Sequence, residues 1–112
     1  MSYQALFYPK SIAIIGASRK IKTVGNDVIK NLVTQGYTGK LYPVNPQADV
    51  LYGQKVYSSI AEIPEAIELA IIAIPAQAVL QALDEAHQKG ATAAIVISAG
   101  FKEAGNQELE LA

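Results

Sequence analysis

Residues 12–27 read IAIIGASRKIKTVGND, an apolar run that breaks at Gly16 and then continues into a helical pattern. A buried strand that ends at a glycine before a helix is the outline of a phosphate-binding turn. A dinucleotide site would read G-x-G-x-x-G, with an acidic residue about 20 positions later for the ribose. Here Ser18 stands at the second glycine position, and the next strand ends in VNPQ without an acid. The stretch therefore predicts a phosphate-binding turn that differs from that of NAD enzymes.

Apolar runs and helical patterns alternate along the rest of the chain. Strands are predicted at 11–16, 41–44, 68–74 and 93–98, with a short edge strand at 55–57, and helices at 25–35 and 75–89, with one helical turn at 58–64. This alternation favours a parallel sheet with helices on both faces. Right-handed crossovers then give a Rossmann-type, doubly wound α/β domain of strand order 3-2-1-4-5. Ligands bind where the winding reverses, at the carboxyl ends of the strands that end at Gly16 and Ile74.

Size and composition set the class of protein. The 112 residues suffice for one domain, 1–112, and 51% of them are apolar. With no cysteine, disulfides and thiolate metal sites are excluded, and a cytoplasmic location is expected. A net charge of −1 argues against nucleic-acid binding, and the sequence lacks an apolar run of the roughly 18 residues that a membrane helix needs. A new helical pattern begins near the end, so we expect a domain truncated at the C-terminus, the first part of a longer chain.

The charge is unevenly distributed. Residues 1–56 carry seven Lys or Arg against two Asp or Glu, whereas residues 57–112 carry two against eight. Three of the basic residues, Arg19, Lys20 and Lys22, lie in the turn after Gly16. A positive field beside a glycine turn suits an anionic ligand. The alternative is a solvated strand-to-helix turn capped by Ser18.

Candidate catalytic residues are few. The one histidine, His87, falls near the edge of the apolar face of the second long helix, where a packed or exposed histidine without a catalytic role is expected. Ser98 ends a strand without a nearby base in the sequence, and the carboxylates are too scattered for a metal site. We therefore predict that this chain has no catalytic residues of its own and needs no metal.

Six motifs follow one another with regular spacing: PKSIAIIGAS, then VG and NL in the first helix, GYTGKLYPVNP, LYGQKVYSSIAEIP, LAIIAIPAQAV and AAIVISAGFKEAG. In this order they resemble the CoA-binding domain of NDP-forming (ADP-forming) acyl-CoA synthetases. The chain is also similar to the N-terminal domain of the succinyl-CoA synthetase α subunit. The resemblance implies a Rossmann-type domain that binds coenzyme A, and it extends from Leu6 to Gly105.

The resemblance also implies which residues contact CoA. Those expected at the phosphates are Gly16, Ala17, Ser18 and Arg19; near the adenosine, Val44, Asn45 and Pro46; beside the nucleotide or pantetheine, Ile74, Pro75 and Ala76; and toward the thiol, Ser98, Ala99 and Gly100. Family members often carry a lysine just after VNP, where this chain has Gln47 and Ala48. The 3′-phosphate contact is therefore open, with Arg19, Lys20 or Lys22 as substitutes.

The resemblance implies partners as well. The phosphohistidine and the ATP-grasp portion of such synthetases lie in later domains or a second subunit, so this chain alone is expected to bind CoA without turnover. The same CoA-binding domain also opens bacterial protein lysine acetyltransferases that carry a GNAT domain. A stand-alone CoA- or nucleotide-sensing protein is a further alternative.

Overall fold

The computed structural model describes residues 6–17, 23–47 and 49–97, and the elements below belong to these ranges. Six strands are present: β1 (Ser11–Ile15), β2 (Lys40–Val44), β3 (Val50–Leu51), β4 (Gln54–Lys55), β5 (Leu69–Ile72) and β6 (Ala93–Val96). Two α-helices, α1 (Val24–Thr34) and α2 (Val79–Gln88), and two 3₁₀ turns, Ile60–Glu62 and Ala76–Ala78, connect them. The predicted residues Ser18, Arg19, Lys20, Lys22, Ala48, Ser98, Ala99 and Gly100 lie outside these ranges.

Four of the strands form one parallel sheet in the order β2-β1-β5-β6. Ile12 is paired with Leu41 on one side and with Leu69 on the other, so β1 is central. The strands are apolar almost throughout because both faces of the sheet are covered. The parallel α/β sheet predicted from the alternating pattern is confirmed.

The two faces of the sheet carry different helices. Ile12 and Ile14 point to the face where α1 packs through Ile29. Ala13 and Ile15 point to the other face, where α2 packs through residues such as Ala82. Successive residues of one strand thus serve two cores, which is what a doubly wound domain requires.

The predicted third strand, 55–57, is only partly correct. Residues Gln54–Lys55 pair antiparallel with Val50–Leu51 in a hairpin, and only Tyr57 reaches β2, by a single parallel bridge to Val44. Two hydrogen bonds fix that bridge, from Tyr57 N to Pro43 O at 2.8 Å and from Asn45 N to Tyr57 O at 2.9 Å. Strands β2, β1, β5 and β6 therefore take positions 2, 1, 4 and 5 of the predicted order 3-2-1-4-5. Position 3 is taken by the single residue Tyr57.

Helix boundaries differ from prediction at two places. The first helix begins at Val24 rather than at 25, and its N-cap is Thr23, whose side chain accepts a hydrogen bond from Asn26 N. The N-cap is therefore Thr23, and Ser18, the alternative cap, lies outside the described residues. The predicted helix 75–89 consists of the 3₁₀ turn Ala76–Ala78 and then α2, because Pro75 has extended backbone angles (φ −56°, ψ 148°). The two glycines predicted to end the helices, Gly36 and Gly90, directly follow the last turns of α1 and α2.

Candidate functional site

The candidate site lies where the winding of the sheet reverses, at the carboxyl ends of β1, β2 and β5. The chain continues from β1 to α1 on one face of the sheet, whereas it continues from β5 to α2 on the other face. In a doubly wound sheet, connections that diverge in this way border the ligand crevice at the strand ends. The turn Gly16–Ala17 follows β1, Asn45 follows β2, and Ala73 and Ile74 follow β5.

Gly16 is required at the end of β1 for two independent reasons. Its φ is +95°, a region that L side chains rarely adopt. A Cβ atom at this position would lie 2.2 Å from the carbonyl oxygen of Ala73 and 2.9 Å from the Cγ2 atom of Ile74. The Gly16 N–H donates to Val44 O at 3.1 Å. Gly16 is therefore where the ends of all three strands come into direct contact.

Gly25 brings the first turn of α1 onto the same point. A Cβ atom on Gly25 would lie 1.9 Å from Gly16 O and 3.3 Å from the Cα atom of Ala17. Glycine disfavours a helix by about 1 kcal/mol relative to alanine, so its presence in the first helical turn signals a close approach of the backbone. Sequence reasoning used Gly25 only as a helix start and missed this contact.

Asn45 connects the end of β2 to the turn after β1. Its Nδ2 group donates to Ala17 O at 2.6 Å, and its Oδ1 atom accepts from Gln47 N at 2.7 Å. Its backbone N–H is used by the bridge to Tyr57. The residue predicted to lie near the adenosine thus holds the Gly16–Ala17 turn in place, and direct contact with a nucleotide stays a prediction.

The other predicted residues at these strand ends differ in exposure. Ala17 is fully buried and Val44 is 6% exposed, so their side chains belong to the two cores. Ile74 packs partly against the core, whereas Pro46 and Pro75 are exposed. The structure therefore gathers Gly16, Ala17, Val44, Asn45, Ile74 and their neighbours around one crevice. The contribution of Ser18, Arg19, Lys20 and Lys22 falls outside the described residues.

A charged cluster lies at the opposite, amino-terminal end of the sheet. Lys40 Nζ contacts Glu65 at 2.7 and 2.8 Å, and the Tyr42 hydroxyl donates to the same carboxylate. Burial, followed by the Glu65 carboxylate, raises the pKa of Tyr42 to about 12. Hydrogen bonds from Lys40 and then Tyr42 lower the pKa of Glu65. These groups neutralise one another far from the crevice, which makes the cluster a structural one.

His87 is also distant from the crevice. It is exposed in the last turn of α2, beside a shallow 580 Å³ groove that runs along Leu83, Ala86 and 91–94. In the described part of the chain, no three His, Cys, Asp or Glu side chains form a group that could hold a metal ion. Across residues 6–17, 23–47 and 49–97, no helix has the length and apolar character needed to cross a membrane.

Comparison with known proteins shows the family to which the chain belongs. The family described as "CoA binding domain" matches residues 10–111. The chain is 47% identical over 105 residues to acetate–CoA ligase (ADP-forming) II of Archaeoglobus fulgidus, covering 94% of this chain and 16% of that protein. It is 46% identical over 111 residues to the alpha subunit of acetate–CoA ligase (ADP-forming) I of Pyrococcus furiosus, covering 96% of this chain and 24% of that subunit.

A solved structure also matches this chain. The dinucleotide forming acetyl-coenzyme A synthetase 1 of Candidatus Korarchaeum cryptofilum, solved in complex with phosphate and ADP, superimposes with a TM-score of 0.84 at 40% identity. The match covers 96% of this chain and 23% of that one. The chain thus spans between about a sixth and a quarter of the length of these proteins. By sequence and by fold, it belongs to the CoA-binding domain family found in ADP-forming acyl-CoA synthetases.

Proposed function

We propose that this chain binds coenzyme A at the carboxyl ends of its parallel strands, as the CoA-binding module of an ADP-forming acyl-CoA synthetase. The observation that carries the proposal is the crevice at Gly16, where two glycines allow backbone from β1, β5 and α1 to meet. Such a strand-to-helix turn offers backbone N–H groups and the positive end of a helix to a phosphate. The family match over residues 10–111 supports CoA as the phosphate-bearing ligand.

Within this crevice we propose the roles that the family resemblance implies. The turn from Gly16 to Arg19 would hold the phosphates through backbone N–H groups and the arginine. Pro46 would border the adenosine while Asn45 fixes the turn. Ile74, Pro75 and Ala76, at the start of the connection to α2, would flank the nucleotide or pantetheine, and Ser98 to Gly100 would lie toward the thiol.

The proposal for the parent enzyme is that an acyl-CoA, phosphate and ADP are converted to the free acid, CoA and ATP, or the reverse. This chain would supply the CoA site, and an ATP-grasp portion in another domain or subunit would supply the nucleotide chemistry. The acetate–CoA ligases that it resembles support this assignment. A lysine acetyltransferase carrying a GNAT domain, or a stand-alone CoA sensor, is less well supported because the relatives named above are ligases.

Calorimetric titration with CoA tests the proposal directly. We expect saturable binding at one site, and removal of the three loop cations in Arg19→Ala/Lys20→Ala/Lys22→Ala to weaken it about tenfold or more, which is ~1.4 kcal/mol or more. The matched control removes three lysines elsewhere, the exposed Lys10 and Lys30 and the half-buried Lys89, and should leave the affinity unchanged. Absence of CoA binding to the unmodified chain would exclude the proposed site.

Titration with dephospho-CoA separates two roles for the same cations. If they hold the 3′-phosphate in place of a lysine at Gln47 or Ala48, the triple variant will bind CoA and dephospho-CoA with similar affinity. If they hold the pyrophosphate, the variant will weaken both ligands by the same factor. The ratio of the two affinities, with and without the loop cations, therefore identifies the phosphate that the loop recognises.

A further inference from the structure

Tyr52 occupies an unusual position in the hairpin formed by β3 and β4. It is the first of the two turn residues, with φ 48°, and Gly53 follows with φ 78°. Two successive positive φ values mark a type I′ turn, in which Asn, Asp or Gly is preferred at both positions. A bulky side chain is disfavoured there because its Cβ atom crowds the backbone. A tyrosine at this position calls for a compensating contact.

That contact is made by the tyrosine hydroxyl. It donates to the Oδ1 atom of Asn26 at 3.0 Å, across from the hairpin to the first turn of α1. Asn26 is only 3% exposed, and its own N–H donates to the side chain of Thr23 at 3.3 Å. The rest of the hairpin is anchored beside it, since Leu51 and Val56 are buried in the same core as Ile29 of α1.

Asn26 directly follows Gly25, the residue that touches the Gly16–Ala17 turn. We infer that Tyr52 is a positioning residue for the crevice: its hydroxyl holds Asn26, and Asn26 keeps the first turn of α1 against the turn after β1. The inference deepens the proposed function and rests on it, because the geometry that Tyr52 maintains is that of the proposed phosphate site. Nothing in this role requires Tyr52 to contact CoA itself.

Tyr52→Phe removes the hydroxyl and keeps the ring. We expect CoA affinity to fall about threefold to tenfold, the range of one lost hydrogen bond. We also expect the amide hydrogens of Asn26 and Asp27 to exchange faster in the protein without CoA, because the first helical turn opens more often. Calorimetry well below the melting temperature and hydrogen exchange followed by NMR measure the two effects.

Tyr37→Phe is the matched control. Its hydroxyl donates to Pro9 O at 2.7 Å at the opposite end of the sheet, so the variant also loses one tyrosine hydrogen bond. It should lower the melting temperature without changing CoA affinity or exchange at Asn26 and Asp27. If Tyr52→Phe behaves in the same way, Tyr52 has a purely structural role and the inference is wrong.

Tyr52→Asn separates the hydrogen bond from the turn conformation. Asparagine suits the type I′ turn, yet it is too short to reach Asn26. We expect the melting temperature to be kept while CoA affinity falls as in Tyr52→Phe; unchanged affinity would overturn the inference. If the unmodified chain does not bind CoA, the proposed function fails, and exchange at Asn26 and Asp27 still decides whether Tyr52 holds the first turn of α1.

Discussion

The two ends of the parallel sheet are connected by different kinds of contact. At the amino-terminal end, side chains add to backbone hydrogen bonds such as that from Lys40 N to Lys10 O: Lys40 and Tyr42 bind Glu65, and the Tyr37 hydroxyl binds a backbone carbonyl. At the carboxyl end, backbone meets backbone, as when Gly16 N–H donates to Val44 O and Gly25 abuts Gly16 O. Asn45 is the side chain that joins two strand ends there.

This difference shows what each end can offer to a ligand. Lys40 and Glu65 at the amino-terminal end already pair with one another, so this lysine has little left for an anion. At the carboxyl end, the proposed phosphate would lie beside the start of α1, where backbone N–H groups and the positive end of the helix favour an anion. Substitutions at the carboxyl end should therefore change CoA binding, whereas those at the amino-terminal end should change stability alone.

The largest effect is expected from Gly16→Ala. The positive φ alone should lower the free energy of unfolding by about 1–3 kcal/mol, and the new Cβ atom would also meet Ala73 O at 2.2 Å. CoA binding should become undetectable because the strand ends must separate. Denaturant unfolding and calorimetry measure the two effects.

The control for this variant is Gly36→Ala, after α1. Gly36 has a similar φ of +79°, but no atom lies within 4 Å of its Cβ position. We expect a loss of about 1–2 kcal/mol from the backbone conformation and no change in CoA affinity. Equal loss of binding in both variants would mean that global destabilisation, and not the crevice, governs CoA affinity.

The next largest effect is expected from Asn45→Asp. The carboxylate can still accept from Gln47 N, but it cannot donate to Ala17 O, which loses its partner. An unsatisfied buried group costs about 1–3 kcal/mol, and the added negative charge would repel a phosphate. CoA affinity should fall about tenfold or more, while Asn31→Asp on the exposed face of α1 should not alter it. Unchanged affinity in Asn45→Asp would contradict the proposed position of the phosphate.

Most of the fold could be predicted from local patterns. The alternation of Ile12, Ala13, Ile14 and Ile15 between two cores follows from an apolar strand between helical segments. The hairpin was missed because its turn reads Tyr52-Gly53, whereas the usual signal is Asn-Gly or Asp-Gly. That turn folds residues 50–55 back on themselves and leaves only Tyr57 to pair with β2.

The candidate site was less predictable than the fold. A glycine at the end of β1 could be read from the sequence, because that position combines a buried strand with a sharp turn. The bond between Asn45 and Ala17 joins residues 28 apart and depends on how two strands pair. Gly25 did carry a signal, since a glycine in the first turn of a helix has a cost that close packing explains.

Thr23→Ala should have a smaller effect on both properties. The Thr23 side chain accepts a hydrogen bond from Asn26 N, and loss of such an N-cap costs about 1 kcal/mol. Because the start of α1 borders the crevice, CoA affinity should also fall, by about threefold. Thr23→Ser keeps the acceptor and should restore both the free energy of unfolding and the affinity. Failure of serine to restore them would show that the methyl group, and not the cap, is what matters.

The smallest effect should come from Glu65→Gln, at the amino-terminal end. Because the folded pKa of Glu65 is lowered from 4.5, its stabilising contribution is present above that pH and is lost as the pH falls through the folded value. The pKa of Tyr42 is raised from 10.0 to about 12, so its contribution is present below pH 10 and is lost above it. The unmodified chain should therefore exceed the variant in melting temperature most clearly from about pH 5 to 9.

The same variant tests the separation of the two ends of the sheet. Exposed ion pairs contribute little to stability, so the shift in melting temperature should be small. Glu62→Gln, which removes an equivalent charge nearby, should lower the melting temperature less. CoA affinity should be unchanged in both variants, because the Lys40–Glu65 pair lies at the far ends of the strands. Weaker CoA binding in Glu65→Gln would mean that the two ends are coupled through β2, since β2 carries Lys40 at one end, Tyr42 in the middle and Val44, next to Asn45, at the other end.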